Sequence, residues 1–272
     1  MHHDLSLAFL TVFDAEPPEA VAIAADAGYD RVGLRLLPAA SGERTYPLLT
    51  DKHVLSETLA RLKDSHVRIG DVEIVRLKPD TDVAAFEPFL DRAAELGAAN
   101  VLVAGDDPDP SRLRDRFAAL CDLAAARELT ADLEFMPWTA VKDLGAARAI
   151  VEAAGAPNGG VLIDALHFDR SATTLEDVKA LPAPLIHYMQ LCDGLADYDP
   201  SDEGLIKVAR GERLLPGEGD IDLVWLLSAV PDGTPLSIET PNLALARRMG
   251  PRERAAQAIA AARRLLAKAG RA

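Results

Sequence analysis

The sequence predicts a single-domain (β/α)8 TIM barrel spanning residues 1–272. Three observations predict it. Short apolar runs alternate with helical stretches along the whole chain, eight of each, and no linker or composition shift divides them. Nothing after the first strand resembles a GxGxxG phosphate turn, the usual mark of an open dinucleotide-binding sheet. Polar residues also recur inside late strands, one per strand, and a closed barrel brings such residues together at its C-terminal mouth. An open sheet would leave the distant ones apart.

The elements follow in order. "LSLAFLTVF" (5–13) reads as the first strand, and "PPEAVAIAADAGYD" as a helix with prolines at its start and Gly28 at its stop. "RVGLRLLP" (31–38) leads through a polar loop to the helix 54–66, and "VRIGDVEIVRL" (67–77) to the helix 83–98, where Pro88 should disturb an early turn. "NVLVAGD" (100–106) precedes the amphipathic stretch 111–128. "TADLEFMPW" (130–138) precedes "KDLGAARAIVEAAGA", and "GGVLIDALHF" (159–168) precedes "TLEDVKAL". "LIHYMQLCDG" (185–194) is followed by "DIDLVWLLSAV" (220–230), and "PLSIETP" (235–241) by the long "RERAAQAIAAARRLLAKAG".

The totals narrow the function. With 49% hydrophobic and 26% charged residues the chain can bury a sizeable core. A net charge of −14 argues against nucleic acid as a partner, because neutralising phosphates needs clustered Lys and Arg. It leaves room for a small anion held by a few arginines. Two cysteines, Cys121 and Cys192, make neither a disulfide framework nor a thiolate metal site and read as small buried residues. The N-terminal stretch lacks a basic n-region and a cleavage signal, and no apolar run is long enough to span a bilayer. A cytoplasmic protein with no membrane partner is expected. His2 and His3 read as surface residues. Helix faces rich in Ala and Leu suit a homo-oligomer and core packing equally well.

Glu134 in "LEFMPW", Asp164 in "LIDALHF", Gln190 in "YMQLCD" and Glu239 in "SIETP" stand near the ends of the fifth to eighth strands. Period-2 alternation puts Asp132, Glu134 and Met136 on one face, as it does Tyr188, Gln190 and Cys192, or Ser237 and Glu239. Three carboxylates in one low-dielectric mouth repel unless neutralised, and a divalent cation does so economically. Three carboxylates and an amide oxygen are hard donors, suited to Mn²⁺ or Mg²⁺, with Co²⁺ also admitted and zinc less favoured. The competing expectation is that the carboxylates pair with arginines inside the mouth.

At these residues the chain resembles the xylose-isomerase-like TIM-barrel family of sugar isomerases, ketose 3-epimerases, inosose dehydratases, endonuclease IV and 3-dehydroshikimate dehydratases. The resemblance covers essentially the whole chain and rests on "LEFMPW", "VLIDALHF", "HYMQLCDG", "LLPGEGDID" and "SIETP". It implies one divalent metal on Glu134, Asp164, Gln190 and Glu239. It departs at Gln190, where the similar epimerases carry His in an "HvH" pattern, and the Gln tilts the chemistry towards the dehydratases. The resemblance also implies that Glu134 and Glu239 double as ligands and proton shuttles, and that His167, three residues after Asp164, binds substrate.

A metal holding a carbonyl and a neighbouring hydroxyl acidifies the adjacent C–H, and a base removes that proton to give an enediolate. Returning the proton elsewhere isomerises or epimerises; expelling a β-hydroxyl dehydrates. A divalent-metal-dependent isomerase or epimerase of a sugar-like polyhydroxy carbonyl compound is the first expectation. A dehydratase of the 3-dehydroshikimate or keto-inositol type is the second. Endonuclease IV chemistry would need more His and carboxylate ligands and a basic face; an intact ligand quartet weighs against a non-catalytic barrel. The further candidates are weaker. His53 and Lys142 lie near the mouth, His187 has the parity of a residue facing the helices, and His66 ends a helix at the opposite end. Arg35, inside the second strand, either pairs with Glu73 or binds substrate. Arg210 and Arg213, in the long segment 193–220 without obvious structure, are expected to bind a substrate carboxylate or phosphate.

Overall fold

The computed structural model describes residues 3–40 and 46–271. Parallel pairing follows chain order through β1 (Leu5–Leu7), β2 (Arg31–Arg35), β3 (Arg68–Leu77), β4 (Asn100–Gly105), β5 (Thr130–Glu134), β6 (Gly159–Asp164), β7 (Met189–Leu191) and β8 (Leu236–Ile238). β8 then pairs back onto β1, Leu5 opposite Leu236 and Leu7 opposite Ile238, so the sheet closes into the expected barrel.

The described residues contain eleven α-helices: α1 (Pro17–Ala27), α2 (Lys52–Lys63), α3 (Glu87–Glu95), α4 (Pro110–Ala125), α5 (Leu144–Ala154), α6 (Ala165–Arg170), α7 (Leu175–Lys179), α8 (Asp202–Gly211), α9 (Leu223–Ala229), α10 (Leu243–Ala246) and α11 (Pro251–Lys268). Their starts are written locally. Prolines open α1, and Gly28 ends it with φ +80°, a backbone region costly for any side chain. Asp51, Asp109 and Asp143 cap α2, α4 and α5 through their carboxylates, and Thr174 with Asp177 makes a capping box on α7.

Strand alternation divides the buried residues into two shells. Outward residues such as Val103, Leu133, Ile163, Met189 and Leu191 pack on the helices in one continuous cluster. Each Val, Leu or Ile so buried contributes about 1.5–3 kcal/mol relative to exposure. Inside the barrel lies a smaller group: Ile74, Leu102, Ala104, Met136, Leu162 and Tyr188. Tyr188 and Met189 thus face opposite sides, which puts Gln190 inward as its parity requires.

Several local expectations are corrected. The run 5–13 is strand only to Leu7, and Phe9–Val12 coil into a 3₁₀ turn whose Thr11 hydroxyl donates to the Ile238 carbonyl at 2.8 Å. The helix expected over 83–98 is a 3₁₀ turn, Val83–Phe86, followed by α3, with Pro88 in the first turn, where its missing N–H costs nothing. The run 159–168 is strand only to Asp164, after which α6 begins. Segment 193–220 is not structureless, since α8 occupies its middle. His3 is buried rather than at the surface, its Nδ1 3.2 Å from the Thr234 carbonyl; His2 lies outside the described residues.

His187 also breaks its parity. Instead of facing the helices, its imidazole meets the buried Asp132 carboxylate at 2.6 Å beside Gly160, where a Cβ would collide with both side chains. Glycine at position 160 is what makes room for that pair. Although burial opposes it, the Asp132 carboxylate raises the His187 pKa above the ordinary value. Both cysteines are buried thiols, and burial pushes Cys121 up to about 12.

Candidate active site

The C-terminal strand ends open into a cavity of about 500 Å³. Each of the four strand-end residues is placed by the end of its strand. Glu134 is the last residue of β5 and Asp164 the last of β6; Gln190 is central in the short β7, and Glu239 follows β8 directly. Register sets Asp164 opposite Gln190 and Gln190 opposite Ser237, so Glu239 stands two residues beyond that level. All four are buried.

Glu134, Asp164 and His167 come together, with ligand atoms all within 4.8 Å of one another. Asp164 shapes this group twice. Its Oδ1 caps α6 by accepting from the backbone N–H of Leu166 (2.8 Å) and His167 (3.0 Å), and that turn of helix carries His167 over the mouth. His167 Nε2 then lies 3.6 Å from Glu134 Oε1, and its ring stands edge-on to Trp138 with centroids 5.0 Å apart. Burial lowers the imidazole pKa to about 4, so His167 is neutral near pH 7, and its buried Nδ1 has no hydrogen-bond partner.

Arg213 is the feature that sequence reasoning misplaced. Rather than standing open to a substrate carboxylate or phosphate, it is buried among the protein's own carboxylates. Its Nη1 sits 2.5 Å from Asp164 Oδ2 and its Nη2 3.0 Å from Glu239 Oε2. The other Glu239 oxygen accepts the Gln190 amide at 3.0 Å, which leaves Gln190 Oε1 buried with no donor. The expectation of arginine pairing inside the mouth therefore holds for two of the three carboxylates.

One arginine does not settle the electrostatics. Burial pushes Glu134 well above the usual carboxylate range, reinforced by the charges of Asp164 and Glu239. Burial likewise raises Glu239 to about 8 in spite of Arg213. Burial would raise Asp164 too, but the Arg213 guanidinium and the helix N–H groups bring it below its ordinary value. Two carboxyl groups thus resist ionisation beside an unsatisfied amide oxygen and a neutral imidazole. These hard carboxyl and amide oxygens suit a divalent cation, whose binding would release the protons that burial keeps on the two carboxyl groups.

The rest of the cavity wall is apolar with charges of both signs, Asp14 and Glu73 as well as arginines. Arg35 pairs with Glu73 at 2.6 Å and stacks on Phe9 at 4.7 Å, so the ion-pair expectation is met while Arg35 still lines the cavity. Arg210 is exposed, lines the cavity and has no ion-pair partner among the described residues. His53 and Lys142 are exposed and do not line it. His66, at the far end, meets the Tyr29 carbonyl at 3.0 Å.

Sequence reasoning missed Arg76, Trp138 and the apolar lip of Leu10, Phe13 and Leu243. Arg76 was hidden by an irregularity in β3 between Val72 and Val75, which lets Glu73 and Ile74 both face the cavity and voids simple alternation. It also missed Asp193, the anchor of segment 193–220. That buried carboxylate accepts from the backbone N–H of Gly194 (2.9 Å), Gly217 (2.9 Å) and Ile221 (3.1 Å).

With the barrel and its site described, comparison with known proteins is decisive at the family level. The model for the xylose isomerase-like TIM barrel matches residues 21–266. The chain belongs to that family. No curated protein sequence matches it. Among solved structures with the same family fold is an IolI protein with a bound zinc atom, at TM-score 0.80 and 18% identity, covering 97% of this chain and 98% of that one. Another is a D-allulose 3-epimerase from Methylomonas sp., at TM-score 0.71 and 16% identity, covering 97% and 98%. A third is a xylose isomerase-like TIM barrel/4-hydroxyphenylpyruvate dioxygenase fusion protein, at TM-score 0.77 and 21% identity, covering 96% of this chain and 42% of that one. At these identities the likenesses speak for the fold. No helix among the described residues is long and apolar enough to cross a membrane.

Proposed function

We propose that this member of the family is a divalent-metal-dependent isomerase or epimerase acting on a sugar or sugar-like polyhydroxy carbonyl compound. The observation that carries the reading is the buried group of Glu134, Asp164 and His167 beside the unsatisfied Gln190 oxygen, at the catalytic end of the barrel. Glu134, Asp164, Gln190 and Glu239 would hold one Mn²⁺ or Mg²⁺. Bound there, such an ion polarises a carbonyl and acidifies the neighbouring C–H.

The remaining work falls to the protein's own groups. Glu134 on β5 and Glu239 after β8 reach the cavity from different sides of the barrel, so one takes the proton from carbon and the other returns it. Burial raises both carboxyl groups in the metal-free protein, the direction a proton-transferring carboxylate needs. His167, neutral and with a free Nδ1, hydrogen-bonds a substrate oxygen. Trp138 and Phe9 line the cavity as apolar groups that keep water from the reacting carbon.

A dehydratase of the 3-dehydroshikimate or keto-inositol type is the second reading. For the 3-dehydroshikimate case it is favoured by Arg210, a cavity-lining cation that a substrate carboxylate can meet. Both readings are tested with manganese-loaded protein in D₂O. Deuterium incorporation at carbon in a ketose that keeps all its hydroxyls, abolished by EDTA, supports the first. An ultraviolet product band growing from 3-dehydroshikimate, also abolished by EDTA, supports the second. Silence across the whole panel with metal bound would remove both.

A further inference from the structure

Arg213 stands where a cation would have to stand. Asp164 Oδ1 already accepts two backbone N–H groups, so Oδ2 is the oxygen left for any further positive group, and Arg213 Nη1 lies on it at 2.5 Å. Glu239 repeats the arrangement, with Oε1 facing the Gln190 amide at 3.0 Å and Oε2 facing Arg213 Nη2 at 3.0 Å. A small divalent ion such as Mg²⁺ binds oxygen ligands at about 2.0–2.1 Å. It would approach the same two oxygens inside the distance of the guanidinium, and two such charges repel strongly in a buried site.

The arginine can yield without unfolding its segment. Its backbone N–H donates to the Pro241 carbonyl at 3.1 Å, and its carbonyl accepts the Asn242 amide at 2.9 Å. The next residue, Leu214, is paired with Asp193 in both directions, at 2.9 and 3.0 Å. With the main chain so held, departure from the carboxylates is a side-chain rotation, which also gives up the Nε–H donation to the Ala209 carbonyl at 2.9 Å and the Nη1 contact with Cys192 Sγ at 3.3 Å. Arg213 already lines the cavity into which the side chain would turn.

We propose that Arg213 is a resident counter-ion that a divalent cation displaces from Asp164 and Glu239. The proposal rests on the metal-site reading given under Proposed function.

Calorimetric titration of the chelator-stripped full chain with Mn²⁺ tests it, comparing wild type, Arg213→Met and Arg213→Lys. Arg213→Met removes both contact and charge and is expected to tighten binding about tenfold or more, as loss of competing charge-assisted hydrogen bonds implies. Arg213→Lys keeps the charge, but a single ammonium cannot reproduce the forked contact to two carboxylates, so it is expected to tighten binding about threefold or more. The gain in melting temperature on adding Mn²⁺ should be larger in both variants than in wild type. If Arg213→Met does not fold without metal, Arg213→Lys alone decides. Affinity in Arg213→Lys equal to wild type would mean that only distant charge matters and would overturn displacement. Weaker binding in the variants would overturn it too, by making Arg213 a support for the ligands. Failure of all three proteins to bind Mn²⁺ would remove the metal-site reading and this proposal with it.

Discussion

Replacing Asp193 tests whether one buried carboxylate organises the segment that delivers Arg213 to the mouth. The side chain is fully buried and accepts three backbone N–H groups, from Gly194, Gly217 and Ile221. Asp193→Ala strands these donors, two in buried contacts and one in a part-buried contact. A stranded buried donor costs about 1–3 kcal/mol, so the loss should be about 3–5 kcal/mol. For a domain of this size that lowers the melting temperature by about 10 °C. Asp193→Asn keeps one carbonyl oxygen for Gly194 and Ile221 but turns its amide towards the Gly217 N–H, and should lose about half as much. Differential scanning calorimetry measures both losses, and amide exchange should quicken at Gly217 and Ile221 before it does in β5 or β6. A melting temperature for Asp193→Ala within about 2 °C of wild type, with exchange unchanged, would refute the assignment of Asp193 as the anchor.

Further predictions concern the site and the barrel interior. Glu239 holds a proton in the folded protein up to about pH 8, while an unfolded glutamate releases it above its ordinary 4.5. The sign follows: metal-free stability should fall as pH rises from 4.5 towards 8, and Glu239→Gln should flatten that slope in urea unfolding at several pH values. A slope identical in the variant would contradict the assignment. His167→Ala should leave Mn²⁺ stoichiometry intact and lower kcat/KM for proton exchange by about a hundredfold; loss of the metal instead would make His167 a ligand. Gly160→Ala forces a methyl into the Asp132–His187 pair and should cost about 1–3 kcal/mol of stability in chemical denaturation. Adding His187→Ala should relieve only the imidazole half of the collision, because Asp132 Oδ1 still meets the new methyl.

Alternation of strand and helix narrowed the fold to a parallel sheet with right-handed crossovers, and the missing GxGxxG turn with the recurring polar residues in late strands chose the closed barrel over the open sheet. Parity then put Glu134, Asp164, Gln190 and Glu239 at or near the ends of inward-facing series, and of these Glu134 and Glu239 line the cavity. Where backbone regularity fails, so does that reasoning. The irregularity in β3 turned Ile74 and Arg76 to the cavity, and His187, two residues before β7 begins, is not bound by the strand's alternation. The partners of Gln190 and Arg213 were not legible either. Gln190 reaches across to Glu239, and Arg213 arrives from a segment folded back by Asp193, both contacts between residues far apart in sequence. No local pattern encodes which of several arginines fills a charged hollow. Helix α8 was missed for a related reason: its stretch is only weakly apolar and was overshadowed by the Gly and Pro residues around it.

The most direct measurement is the metal content of the full chain. After loading with Mn²⁺ and gel filtration, elemental analysis should find one ion per wild-type chain and essentially none in Glu134→Gln or Asp164→Asn, with both variants still folded by circular dichroism. Wild-type protein that retains no metal, or variants that retain it undiminished, would contradict the account of the site.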